Sequence, residues 1–155
     1  MKNIILIIFT IVLVIIISCI IHIPSPADQN IKDYYYKVCN APYKRTYGPY
    51  PDTLFTTGGD CDDRARNFKE YLESQGATNV KVVWVCHEDN GQINWTYGAH
   101  EFLLWNGKAY NPTILPELRA YNMPLTDYLQ STKRDYGFNT YHDGAFENQT
   151  QKYYF

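Results

Sequence analysis

The sequence predicts an α+β fold: a helix with a cysteine at its start, packed on an antiparallel sheet and preceded by an N-terminal transmembrane helix. Three observations predict it. A well-punctuated helical segment over residues 60–75 is followed by strand patterns at 80–86, 99–105 and 108–113. Asn106-Gly107 separates the last two of these, and that dipeptide between apolar runs is the strongest short hairpin signal. Residues 4–23 carry no charge, and about 20 apolar residues at roughly 1.5 Å rise are enough to cross a bilayer core.

The apolar run sets the expected organisation: a membrane anchor at 1–23, a linker at 24–30 and one domain at 31–155. A cleaved signal has a shorter apolar region, about 7 to 15 residues, so an uncleaved single-pass anchor is expected, with the domain on the extracytoplasmic side. Cleavage after Ser25-Pro26-Ala27 and lipidation at Cys19 are the competing readings. Pro24 and Pro26 mark the linker, because prolines two apart disfavour a continuing helix. At 155 residues and 45% apolar content, the chain has enough for one core and too little for two. With a net charge of −2 and basic residues adjacent only in pairs, nothing resembles a nucleic-acid footprint. Fifteen tyrosines could line a groove for glycan or peptide, but aromatics also favour strands, and the strand reading is preferred.

Within the domain, residues 31–39 are expected to form a short helix, followed by a Pro-, Gly- and Tyr-rich loop to Pro51. The next helix has Asp60 as N-cap, Asp62 and Asp63 in its first turn, and Gly76 past its end. Cys61, Ala65, Phe68 and Leu72 fall on one face, while Arg64, Lys69, Glu70 and Glu73 fall elsewhere. Cys61 thus starts the helix on its core side, where unpaired N–H groups favour a thiolate and the neighbouring aspartates oppose it. A partner imidazole is needed to activate it.

The hairpin supplies that partner. A two-residue turn at Asn106-Gly107 puts Trp105 opposite Lys108, and counting back places His100 and Asn111 as diagonal neighbours on one face. Asn111 can then hold the His100 ring in one tautomer. A buried inert cysteine is the bland alternative for Cys61, and the His100–Asn111 arrangement weighs against it.

Taken together, Tyr50-Pro51-Asp52-Thr53-Leu54, Gly59-Asp60-Cys61-Asp62-Asp63, Ser74-Gln75-Gly76, the strand at 80–86 and the stretch from His100 to Asn111-Pro112-Thr113 resemble the transglutaminase-like cysteine enzymes. The resemblance covers roughly residues 50–113. It implies a papain/transglutaminase-like core with Cys61 as nucleophile, His100 as base and Asn111 as third member. The family usually has Asp in that place, and the amide is similar to papain-type enzymes, so an Asp at 111 is expected to serve. The implied activity is a membrane-anchored cysteine peptidase or amidase, forming a thioester from peptide or isopeptide bonds, with cell-wall or surface peptides as the expected substrates. The second class of reading is an inactive module of the same shape that binds a peptide or glycan.

Part of an oxyanion hole can come from the Cys61 backbone N–H, and Asn40, Tyr43 and Tyr47 are candidates for the rest. No cofactor and no metal are expected. Cys86-His87 could join Cys61 and His100 around zinc, but no Cys-x-x-Cys pair supports this. A Cys39–Cys86 disulfide is open to an extracytoplasmic domain. His142-Asp143 reads as a surface loop, residues 126–134 as a short helix capped by Thr126, and Tyr153-Tyr154-Phe155 as an edge segment.

Overall fold

Asn106 and Gly107 both have positive φ, 51° and 71°, as a two-residue hairpin turn requires. They put Trp105 opposite Lys108, Leu104 opposite Ala109 and Leu103 opposite Tyr110, the register the sequence predicts. The computed structural model describes residues 26–45, 54–145 and 151–155. The chain divides into two units, Met1–Asn30 and Ile31–Phe155, and the second carries the sheet.

In chain order the elements are α1 (Pro26–Cys39), α2 (Leu54–Thr57), α3 (Cys61–Ser74), β1 (Lys81–Cys86), β2 (Glu88–Asp89), β3 (Gln92–Ile93), β4 (Ala99–Trp105) and β5 (Lys108–Asn111). A 3-10 turn (Pro116–Leu118), β6 (Ala120–Pro124), α4 (Leu125–Tyr136), β7 (Thr140–Asp143) and β8 (Gln151–Tyr154) follow. Among the described residues six strands form one sheet in the order β6-β5-β4-β1-β7-β8, and β2 pairs with β3 in a second. Every neighbouring pair in the large sheet is antiparallel.

Alternation along the strands gives the sheet two apolar faces. Leu103 and Tyr110 face Ala65, Phe68 and Leu72 of α3 and Tyr35 and Val38 of α1. Val83, Val85, Phe102 and Ala109 face Tyr128 of α4. The core therefore lies in two layers, one on each side of β1, β4 and β5.

Several expectations are corrected. No helix among the described residues is long and apolar enough to cross a membrane, and the uncharged run at 4–23 lies outside the described residues. The described residues show α+β with an antiparallel sheet, and the transmembrane helix expected ahead of it is not among them. The first described helix, α1, carries Asp28, Lys32, Asp33 and Lys37, which suits a water-facing helix. It also takes in residues 26–30, read from sequence as linker, because proline is well tolerated in a helix's first turn. The cap of α4 is Pro124, with no side-chain bond, and not Thr126. β5 stops at Asn111, short of Thr113, where its pairing with β6 shifts register. Cys39 and Cys86 are both buried free thiols.

His142 and Arg64 are the instructive corrections. His142, expected at the surface, is 4% exposed in β7. Arg64, expected off the core face, is 1% exposed. Its guanidinium donates to the carbonyls of Ala41 and Pro42 at 2.6 and 2.9 Å, and to those of Val38 and Gly59. Carbonyls at a helix end have no intrahelical partner, so a buried cation from α3 finds its acceptors just past α1.

Candidate active site

Gly58 and Gly59 allow the chain to enter α3 where it does. Gly58 has φ +82°, and a Cβ there would lie 2.7 Å from the Pro42 carbonyl oxygen. At Gly59 a Cβ would lie 2.6 Å from Asp63 Cβ and 2.7 Å from Leu54 Cδ1. The close approach lets the Asp63 carboxylate accept the Asp60 N–H at 3.0 Å, closing the helix start in the manner of a capping box. Gly59 also forms a parallel bridge with Tyr43, which carries that tyrosine to the side of Cys61.

Cys61 is half-buried. Desolvation pushes its thiol up to about 12; the Glu101 backbone N–H acts against this, and Asp60, Glu101 and Asp62 add to it. The helix start therefore does not yield a resting thiolate.

His100 lies on β4 with 7% exposure. Its Nε2 is 3.0 Å from Asn111 Oδ1 and 2.8 Å from Nδ2. The amide's own partners decide between them: Nδ2 donates to the Leu118 carbonyl at 2.6 Å and to the Tyr128 hydroxyl at 2.7 Å. Oδ1 is left to accept from Nε2–H, and the free lone pair of the ring is then on Nδ1. Burial lowers the imidazole to about 4, with the Asn111 bond opposing. At neutral pH the resting pair is a thiol and a neutral imidazole.

Cys61 and His100 come from opposite layers of the fold. Both line a cleft of about 590 Å³, walled by Ile114, Leu115, Tyr136 and Phe138, and a second of about 570 Å³ that includes Arg45, Asp62 and Trp95. Among the described residues no direct hydrogen bond joins the two. Catalytic hydrogen bonds are often long in a free enzyme and tighten with substrate.

The structure thus brings His100 and Asn111 into contact and sets Cys61 beside the same clefts. Tyr43, 57% exposed, lines both clefts. Asn40 is exposed outside them, and Tyr47 lies outside the described residues, as does most of the Tyr50–Leu54 stretch. Cys86 and His87 do not join Cys61 and His100: His87 bonds the Gly137 carbonyl and Asp89, and Cys86 Sγ lies 3.6 Å from His142 Nε2. Tyr128 was missed by the sequence reading, since nothing local distinguishes it from an ordinary core tyrosine. No protein-family model, curated protein or solved structure matches the chain.

Proposed function

We propose that this protein is a cysteine acyl-transfer enzyme of transglutaminase-like type, a peptidase or amidase acting on peptide or isopeptide bonds. The observation that carries this reading is the His100–Asn111 pair, held in one tautomer at the edge of two clefts that Cys61 also lines. In this reading Nδ1 of His100 takes the Cys61 proton as sulfur attacks the acyl carbon. The C–N bond breaks, the amine leaves with the proton from His100, and a thioester remains. Water then attacks the thioester as it gives a proton to His100, the S–C bond breaks, Cys61 takes that proton back and the acid leaves, and an amine in place of water gives the transfer product. The Cys61 backbone N–H and the Tyr43 hydroxyl are the donors offered to the developing oxyanion.

The clefts differ, which bears on substrate. One is walled by aliphatic and aromatic side chains and the other by charged ones, which suits an extended chain with an apolar group on one side of the scissile bond. The full-length protein, treated with an electrophilic peptide probe at neutral pH, is expected to label at Cys61, with the rate falling at least tenfold in His100→Ala. Equal labelling with and without His100 would overturn the assignment. It would favour the second reading, a binding module of this shape, which the high Cys61 pKa and the missing Cys61–His100 bond support.

A further inference from the structure

Cys86 ends β1, and β7 runs beside it with Trp84 opposite His142. Trp84 and Cys86 are two residues apart and share one face of the strand. The His142 ring therefore stacks on Trp84, with centroids 3.7 Å apart, and also meets the Cys86 thiol. Glu88, which opens the small β2–β3 hairpin, turns its carboxylate back to the same place. Its Oε1 is 3.1 Å from His142 Nε2, and Cys86 Sγ is 3.6 Å from that nitrogen. The three donor atoms all lie within 4.8 Å of one another.

One ring N–H directs its hydrogen along one line and can serve only one of these two electron-rich neighbours well. A metal ion at their centre would engage all three. Two of the three spacings fit a tetrahedral ion: bonds of about 2.3 Å to sulfur and about 2.0–2.1 Å to nitrogen and oxygen place S and N about 3.6 Å apart and N and O about 3.3 Å apart, and the third, between sulfur and oxygen, is within 4.8 Å. The second carboxylate oxygen, Oε2, accepts from Lys152 Nζ at 2.9 Å and from the Tyr154 hydroxyl at 3.1 Å. Such outer contacts orient a ligating carboxylate. Lys152 is itself 41% exposed, so water screens its charge.

We propose that Cys86, His142 and Glu88 form a binding site for a zinc-class divalent cation that ties β1 to β2 and β7. The thiol and imidazole suit a borderline-soft ion over magnesium or calcium. On binding, the Cys86 S–H proton leaves to solvent and the sulfur forms the metal bond as thiolate. His142 remains neutral, giving its Nε2 lone pair with its proton on Nδ1, and Glu88 binds through Oε1. Thiolate and carboxylate balance the charge of the ion, and a water takes the fourth position. The site involves neither Cys61 nor His100.

The experiment titrates the untagged full-length chain, kept reduced with a phosphine, with Co²⁺. The expected result is a near-ultraviolet thiolate-to-cobalt charge-transfer band with the visible bands of tetrahedral cobalt, saturating at one equivalent and displaced by Zn²⁺. The band persists in Cys61→Ala, disappears in Cys86→Ser, and needs at least tenfold more Co²⁺ in Glu88→Gln. No band in the wild-type protein, or a band that survives Cys86→Ser, overturns the proposal. X-ray absorption on the wild-type metal complex decides the matter even if Cys86→Ser does not fold. One sulfur neighbour at about 2.3 Å is expected, and a shell of nitrogen and oxygen alone overturns the site.

Discussion

The amide nitrogen of Asn111 lies 2.7 Å from the Tyr128 hydroxyl and 2.6 Å from the Leu118 carbonyl oxygen. Both of its hydrogens are thereby committed, and the amide oxygen is turned to His100. Tyr128→Phe removes one acceptor and leaves a buried N–H without its partner, which costs about 1–3 kcal/mol. The expected outcome is a lower melting temperature and a several-fold slower Cys61 labelling rate, because the His100 ring loses part of its support.

Asn111→Asp should be worse than wild type, against the expectation that an Asp at 111 would serve. A carboxylate has no hydrogen for the Leu118 carbonyl, so two oxygens would face each other at the 2.6 Å separation now bridged by an N–H. Calorimetry and labelling at neutral pH check this. A variant that keeps wild-type stability and rate would show that the amide is not oriented as argued.

Arg64 offers a test of how the Cys61 helix is held. Its buried guanidinium serves the carbonyls of Val38, Ala41, Pro42 and Gly59. A lysine keeps the charge but presents a point donor in place of a planar fork. Arg64→Lys is expected to lower unfolding free energy by about 1–3 kcal/mol, read in urea as a lower midpoint with an unchanged slope. A loss below 1 kcal/mol would mean that the carbonyls find water instead.

Gly59 and Gly76 make a contrasting pair for one substitution. Gly59→Ala drives a methyl to 2.6 Å from Asp63 Cβ, so α3 must shift at its start. The expected loss is about 1–3 kcal/mol, with slower labelling of Cys61. Gly76 has φ +90° and nothing within 4 Å of an added Cβ. Gly76→Ala should lose only about 1–2 kcal/mol of backbone strain and leave labelling unchanged.

The parts legible in the sequence are those set by short-range chemistry. Asp60 and Gly76 punctuate the Cys61 helix, and Asn106-Gly107 sets a register from which the His100–Asn111 contact follows by alternation. What was hidden depends on residues far apart in the chain. Tyr128 reaches Asn111 only because α4 packs on the face of β4 and β5 that bears the amide. His142 looks like part of a polar loop until β7 is laid beside β1, where Trp84 and Cys86 cover it. Arg64 looks like a solvated helix residue until the end of α1 presents its carbonyls. Hydrophobic pattern carries no trace of such acceptors, since they belong to backbone.

The protonation of His100 makes the last prediction. Burial lowers it from the ordinary 6.5 to about 4, so the folded protein binds this proton later than the unfolded chain does as pH falls. The stability tied to the neutral ring is complete above about pH 6.5, declines as pH falls through that window, and is gone below about pH 4. Two and a half pH units correspond to about 3 kcal/mol. Comparison of unfolding free energies for wild type and His100→Gln between pH 7 and 4 should show a steeper decline for wild type by that amount. Cys61 labelling should share the same origin: flat across neutrality, with an acid limb near pH 4, because in the proposed mechanism the thiol, at about 12, is deprotonated by the neutral ring during attack. An acid limb near 6.5, or labelling that climbs through pH 8–9 as for an exposed thiol, would contradict the buried neutral pair.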